Sequence, residues 1–270
     1  MTYSISRRAL LAQSGALGAA TLIPAIPGWA QAPGPAPAGL PPVCLSMYYL
    51  AADGGKFDRM EFRDKQAGLL RSLYGDALER IELRTAPKLQ RTDPKPQAQY
   101  GETVPPVLAI VNLWVKSLDS YAAATMKAGD KIANGMKGVS SAKVAVQWEQ
   151  LIAAKGEPRE SVVAGTQCFS SLYPSKGDGT WDAKYVSETY LPMVMEAYGP
   201  DALRRVEVCK GISLQGGGKP VFVAAINMYL KDQPTFQSKA MTAGMTLMKE
   251  ASKYTTITPL MNTYDVFAVS

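Results

Sequence analysis

Histidine is absent from this chain of 270 residues. Histidine is the usual general base near neutral pH, the commonest metal ligand and the usual proximal ligand of haem. A Ser-His-Asp triad and a zinc or haem site ligated by histidine are therefore excluded within this chain. No other cofactor is identified, because the one glycine run, Gly216-Gly217-Gly218, lacks the following Lys-Ser/Thr of a phosphate-binding loop.

Cysteine is scarce, and the three cysteines are Cys44, Cys168 and Cys209. They form no CxxC pair and their number is odd, so neither a redox motif nor a complete disulfide framework is indicated. At least one thiol must stay unpaired or pair with another chain. We expect all three to be small apolar residues of strands, because free cysteine is among the most buried residue types.

A strong excess of one charge sign and long apolar runs are also missing. The chain has 29 Lys+Arg and 23 Asp+Glu, and the two signs are interspersed, whereas a nucleic-acid-binding protein clusters its basic residues. No nucleic-acid partner is therefore expected. After the leader, no segment approaches the roughly 18 apolar residues of a membrane-spanning helix, so no membrane span is predicted there.

The N-terminal segment has the pattern of an export signal. Arg7-Arg8 precedes an apolar stretch and the small-x-small site Ala30-Gln31-Ala32, which is typical of a signal peptide of the twin-arginine class. We predict a signal peptide over 1–32, a Pro-rich extended linker over 33–42, and a periplasmic or otherwise exported protein. The alternatives are a generic secretory signal and an uncleaved anchor.

Three stretches of the first half of the chain recur in the same order in the second half, and such self-similarity indicates repeated structural units. The sequence therefore predicts two modules, 43–155 and 160–270. The matching stretches are Cys44–Asp58 with Cys168–Asp182, Tyr74–Leu83 with Tyr198–Val208, and Leu108–Trp114 with Val223–Tyr229.

Within each module, short runs rich in β-branched and aromatic residues alternate with stretches of helical spacing. The order is β-α-β-β-α-β, with strands predicted at 43–50, 78–84 and 107–115 in the first module. A four-stranded sheet with both helices on one face leaves its other face open, and two such sheets can cover each other. We therefore expect an α+β fold in which the modules pack sheet to sheet, as a sandwich or barrel.

The second module carries a family resemblance. Over about residues 166–269 it resembles the EthD family, and the first module follows the same pattern more weakly over about 43–150. The resemblance implies two ferredoxin-like modules that form a dimeric α+β barrel within one chain. The residues that carry it are Leu172-Tyr173-Pro174, Trp181-Asp182 with Tyr185, Leu191-Pro192-Met193-Val194, and Val223–Tyr229 followed by Phe236.

The family pattern has a histidine eight residues after its aromatic-Asp pair, and this chain has none. The position is Gln66 in the first module and Tyr190 in the second. The resemblance implies a loose link to oxidoreductases, either as an accessory to an oxidative degradation pathway or as a cofactor-free enzyme. We expect a small, mostly apolar molecule to bind between the sheets. The alternative is a non-enzymatic binding or assembly module that acts through a protein partner.

Strand alternation selects the candidate ligand-binding residues. Asn112 and Trp114 share one face of a strand in the first module, and Asn227 and Tyr229 repeat this arrangement in the second. Polar and aromatic side chains facing an enclosed space can orient a ligand. Alternatively, each Asn satisfies a neighbouring backbone group or lies at the seam between the sheets. Tyr190 falls on the apolar stripe of a helix, which indicates a core residue rather than a catalyst.

The leader gives a prediction about export. Replacing Arg7 and Arg8 together by lysine should abolish translocation, because the twin-arginine route reads the arginine pair itself. The measurement is fractionation of cells that express the full chain, with the unchanged chain as control. Undiminished protein in the periplasmic fraction would contradict the predicted route.

Overall fold

The computed structural model describes residues 42–51, 54–86, 106–128, 131, 138–175, 178–215 and 217–270. The predicted signal peptide, the predicted linker as far as residue 41, and Gly216 lie outside these residues.

Eight strands form in the described part of the chain, where β-branched and aromatic residues are dense. The predicted bounds of the first and third strands are confirmed, and the second extends one residue beyond its prediction. The strands are β1 Val43–Leu50, β2 Leu78–Thr85, β3 Val107–Val115, β4 Lys143–Gly156, β5 Gln167–Pro174, β6 Leu203–Leu214, β7 Phe222–Leu230 and β8 Leu260–Val269.

Helices separate the strands. Two of them, α1 and α3, contain a π-helical segment in the corresponding place of each module. α1 consists of Arg59–Glu61, the π-helical Phe62–Gln66 and Ala67–Tyr74; α2 is Leu118–Ala128; α3 consists of Ala183–Tyr185, the π-helical Val186–Tyr190 and Leu191–Ala202; α4 is Gln233–Ala251. Within the described residues, no helix has the length and apolar character needed to cross a membrane.

The first helix of each module begins and ends in the same way. Asp58 and Asp182 are N-caps, and the carboxylate of Asp182 accepts a hydrogen bond of 3.0 Å from the backbone N–H of Tyr185. Such a cap satisfies N–H groups that have no partner inside the helix. Gly75 and Gly199 have φ of 49° and 70° where the helical backbone ends, a conformation that favours glycine.

The strands form one closed barrel in the order β1-β3-β2-β8-β5-β7-β6-β4. Each half has the internal order 4-1-3-2, and the halves join through the antiparallel pairs β2 with β8 and β4 with β6. This confirms the α+β class and the intrachain dimeric α+β barrel. The two half-sheets meet edge to edge as well as face to face. The module limits 43–155 and 160–270 stay a prediction.

The two faces of the barrel wall differ in polarity. The outer face is apolar and packs against the helices; Leu83 and Val111 in the first half and Val208 and Ile226 in the second are at most 2% exposed there. The inner face mixes aromatic and aliphatic side chains with buried charged and amide groups. The outer face therefore supplies the hydrophobic core, and the inner face is where a site could form.

Candidate functional site in the barrel interior

The four side chains predicted to bind a ligand all face the barrel interior. Asn112 and Trp114 on β3 and Asn227 and Tyr229 on β7 are at most 2% exposed. Strand alternation therefore assigned these side chains to the correct face. Their role in binding remains a prediction.

The two asparagines occupy equivalent places in the two halves. Ser46 Oγ donates to Asn112 Oδ1 at 3.0 Å, and Ser170 Oγ donates to Asn227 Oδ1 at 2.8 Å. Each serine lies directly across the sheet from its asparagine. The amide oxygens are thus paired with side chains of the protein, rather than with the backbone groups considered from the sequence.

A cluster of charges links the second module to strand β2 of the first. Glu82 lies 3.1 Å from Arg80 Nη2 and 3.2 Å from Arg84 Nε, and it accepts a hydrogen bond of 2.9 Å from the Tyr229 hydroxyl. Arg84 Nη1 also donates to Asn227 Oδ1 at 2.7 Å. Two predicted site residues, Asn227 and Tyr229, are therefore held by charged groups that reach across from the other half.

A second carboxylate has equivalent surroundings. Glu207 accepts from Arg205 Nε at 2.7 Å and from Arg159 Nε at 2.8 Å, and the Arg159 guanidinium lies 3.5 Å over the Trp114 ring. Burial alone would raise the pKa of Glu207, but the two arginines hold it below its ordinary value. Arg159 lies in the 3₁₀ turn Arg159–Ser161 between the modules, so the link between them contributes to the interior.

A third carboxyl, Glu149 on β4, has no arginine at hydrogen-bonding distance among the described residues. The Tyr48 hydroxyl and Gln147 Nε2 donate to its Oε1, the latter at 2.8 Å. Gln147 is itself fixed by the backbone N–H and C=O of Phe222, both at 3.0 Å. Burial raises the pKa of Glu149, and the hydrogen bonds from Tyr48 and Gln147 offset only part of this rise.

All three cysteines are buried and free. Burial raises the pKa of Cys168 to about 11, and it raises the pKa values of Cys44 and Cys209 well above that of an ordinary thiol. These groups are therefore thiols rather than reactive thiolates near neutral pH. Within the described ranges, cysteine and acidic side chains form no group of three that could hold a metal ion.

Two buried donors in the barrel interior have no hydrogen-bond partner among the described residues: Arg84 Nε, which still lies 3.2 Å from Glu82 Oε1, and Trp114 Nε1. Trp114 Nε1 has no acceptor among the described residues, although the ring itself is covered by Arg159. A buried N–H without an acceptor costs about 1–3 kcal/mol, and such groups call for a specific explanation. Trp148 Nε1 is also buried without an acceptor in the described part of the chain, but Trp148 packs in the helix-facing core.

The positions of the family histidine lie on the other side of the barrel wall. Gln66 and Tyr190 are the last residues of the two π-helical segments, and Tyr190 packs against the apolar core between helix and sheet. Gln66 is buried, and its Oε1 has no partner among the described residues; the Tyr190 ring lies 4.7 Å from that of Tyr254. π-Helical segments are frequent at functional sites, but these two residues are not brought together with the four interior candidates.

Sequence reasoning missed the charged members of the interior. Arg80, Glu82 and Arg84 alternate along β2 with the apolar Ile81 and Leu83, a pattern that normally indicates a strand with one solvent-exposed face. Closure of the barrel turns that face inward. The sequence contained one indication of this: the alternation puts these charges on the face of the sheet where the ligand-binding residues were predicted.

No protein-family model and no curated protein matches the chain. The chain is similar to several solved structures, and one of these is an EthD-like protein. It comes from Ralstonia eutropha and is 24% identical over 38% of this chain and 93% of its own, with a TM-score of 0.36.

Two other similar structures extend over most of the barrel. An anthrone oxidase-like protein is 9% identical over 86% of this chain and 94% of its own, with a TM-score of 0.47. A protein of Fusobacterium nucleatum, provisionally named a monooxygenase, is 9% identical over 86% of this chain and 95% of its own, with a TM-score of 0.48. Similarity at this sequence identity and TM-score gives no information about activity.

The contacts of Glu207 with Arg159 and Arg205 give a prediction about stability. Glu207→Gln should lower the free energy of unfolding at neutral pH by about 3 kcal/mol, because it leaves Arg159 and Arg205, whose side chains are only 13% and 12% exposed, without their carboxylate. Since the folded-state pKa of Glu207 is lowered, this contribution is present above the unfolded value of about 4.3 and is lost as the pH falls through the folded value.

Urea denaturation of both proteins at about pH 7 and about pH 3 measures the difference. The gap in the free energy of unfolding between wild type and variant should narrow at the lower pH, because below about 4.3 the unfolded chain takes up a proton at Glu207 and the stabilisation by the ionised carboxylate falls. An equal gap at both pH values would show that the carboxylate charge does not stabilise this cluster.

Proposed function

We propose that this protein binds a small, mostly apolar molecule inside the barrel. It either acts on that molecule as a cofactor-free oxidoreductase or holds it as an accessory in an oxidative degradation pathway. The observation that carries the proposal is the open indole N–H of Trp114, buried in the interior without an acceptor among the described residues. An oxygen atom of a ligand would satisfy this donor.

The interior surface suits a molecule of this kind. The side chains of Ile110, Leu172 and Phe222 are at most 1% exposed and present apolar surface inside the barrel. The guanidinium of Arg159 over the Trp114 ring places a positive charge close to the open donor. A mostly apolar molecule with one acceptor oxygen therefore has both kinds of contact available.

The polarity of the interior favours a function over a purely architectural role. Small barrels are ordinarily filled by apolar side chains, and replacing buried ion pairs by well-packed apolar residues is often neutral or stabilising. This barrel instead buries Glu82, Arg84, Glu149 and Glu207, each at most 4% exposed. Such groups are retained at a cost in desolvation, and shifted pKa values, such as those of Glu149 and Glu207, are typical of functional sites.

The place of action is part of the proposal. The twin-arginine pattern around Arg7-Arg8 and the site Ala30-Gln31-Ala32 support export of the folded domain. The protein would then encounter its ligand outside the cytoplasm.

One observation favours the second candidate function, a binding or assembly module with a protein partner. Met241, Met245 and Met248 on α4 are 85%, 63% and 65% exposed, and their spacing puts them on one side of the helix. Exposed methionines are common on adaptable binding surfaces. A ligand that binds in the barrel with the pattern predicted below would leave this candidate without support.

The proposed function is tested by a ligand screen followed by one substitution. Small phenols, ketones and aromatic ethers are screened by thermal shift, since a ligand of the native state raises the melting temperature. Trp114→Phe should weaken binding of a hit roughly fivefold, which corresponds to one hydrogen bond of about 1 kcal/mol.

Trp148→Phe is the matched control, because it removes the same N–H from the helix-facing core. The affinity of this variant should equal that of the wild type. Equal losses in the two variants, or no hit in the screen at all, would contradict a binding site in the barrel interior.

A further inference from the structure

Three glutamates of the described chain are buried in the barrel interior, and they fall into two groups. Glu82 and Glu207 each contact two arginines. Glu149 instead accepts hydrogen bonds from the neutral donors Tyr48 and Gln147. When the surroundings of two titratable groups shift their pKa values in opposite directions, one group stays ionised as a structural ion and the other can exchange protons.

The surroundings of Glu149 contain little opposite charge. The titratable and charged groups that face it are Tyr48 and Cys44 from β1, Cys209 from β6 and Arg84 from β2. The tyrosine and both thiols are neutral near neutral pH. Arg84, the one charged group of this set, is engaged by Glu82 at 3.2 Å and Asn227 at 2.7 Å.

The architecture of the module does not require a carboxyl at this position. Glu149 lies across the sheet from Cys44, and Tyr264 lies across from Cys168 in the other module. Tyr264 is buried in the barrel in the same way. The second module thus closes its half of the barrel with an uncharged side chain where the first has Glu149.

The two halves also differ in the arginine that would neutralise such a carboxyl. Arg84 lies opposite Ile110 on β3, and its counterpart Cys209 lies opposite Ala225 on β7. Arg84 reaches into the second half, where it contacts Ser170 and Asn227. The residue that corresponds to Arg84 is Cys209 on β6 of the second half, and its thiol cannot neutralise Glu149, so Glu149 lacks the partner that the pseudo-symmetry would supply.

Tyr48 indicates which chemistry fits against Glu149. Its ring packs 4.6 Å from that of Phe222, and its hydroxyl donates to the Glu149 carboxyl. A phenolic or enolic O–H on a small ligand would make the same contact, with the planar part of the molecule against the same apolar surface.

We propose that Glu149 is the proton-accepting residue of the barrel and that the ligand is a small phenol or enol. This inference rests on the proposed function. In the step, the O–H bond of the ligand breaks, its proton passes to the Glu149 carboxylate, and the electron pair remains on the ligand oxygen as a phenolate or enolate. Return of the proton reverses the step. No other reactant is needed.

Burial strengthens this role. A carboxylate that has lost its hydration has a higher affinity for protons, which is why the pKa of Glu149 is raised. A base is most effective when its pKa lies near the working pH. Glu207 is a poorer candidate because its two arginines stabilise the ionised form, and Glu82 is already held by two arginines and the Tyr229 hydroxyl.

The probe for this inference is para-nitrophenol, whose phenolate absorbs visible light while the neutral phenol does not. Affinity is measured at two pH values at which free para-nitrophenol is mostly neutral, one where infrared spectra show Glu149 ionised and one where they show it protonated. Wild type should bind the probe more tightly where Glu149 is ionised, because the carboxylate then accepts the phenolic proton in a charge-assisted hydrogen bond. Glu149→Gln should bind the probe equally well at both pH values.

Glu250→Gln is the matched control, since Glu250 also accepts a hydrogen bond from a tyrosine, Tyr185, but lies on α4 outside the barrel. It should behave like wild type. The same pH dependence of affinity in Glu149→Gln and wild type would overturn the inference and leave the proposed function standing. The same holds if para-nitrophenol fails to bind while a ketone or ether from the screen binds. If nothing binds, the proposed function fails as well.

The wild type alone provides a second measurement, which is needed if Glu149→Gln does not fold. With carbon-13-labelled glutamate, the infrared difference spectrum on adding para-nitrophenol should show the carboxylate band of one glutamate shifting as it accepts the phenolic hydrogen bond. A spectrum in which no glutamate carboxylate band shifts would overturn the inference.

Discussion

Closure of the barrel is the constraint on which the rest of the structure depends. The pairs β2 with β8 and β4 with β6 join two four-stranded sheets into one wall without a free edge. An exposed strand edge would invite pairing with other chains, and closure removes it. Closure also turns the inner face of every strand away from water, so each polar group there must find a partner inside the barrel.

Contacts between the halves meet most of this requirement, and Trp114 Nε1 is left without an acceptor among the described residues. Tyr229 of the second module donates to Glu82 of the first. On the other side, Arg159 joins Glu207 of the second module to Trp114 of the first. The same architectural position therefore holds a phenol in one half and an indole in the other. Duplication preserved the strands, and divergence of the inner face produced an asymmetric interior.

Much of the fold could be predicted from the sequence, because local patterns determine it. The bounds of β1 and β3 and the inward direction of Asn112 and Asn227 follow from strand runs and alternation. The pairing of β2 with β8 could not be predicted, since it joins residues that no local pattern relates.

For the same reason the charged residues of the site were missed. A glutamate such as Glu149, two positions from Gln147 on a strand, has the pattern of a solvent-exposed face. Its actual partner, Tyr48, is about a hundred residues away in the chain. Only the closed barrel shows that Glu149 is buried. It also shows that Cys209 occupies the position that corresponds to Arg84 in the other half.

The central claim is that the interior keeps one carboxyl apart from its two arginine-paired counterparts. The most direct measurement is an NMR titration of carbon-13-labelled glutamate side chains, with Glu149→Gln and Glu207→Gln used for assignment. The account predicts that Glu149 titrates above the ordinary glutamate value of about 4.3 and Glu207 below it. A Glu149 that titrates at or below the ordinary value would contradict it.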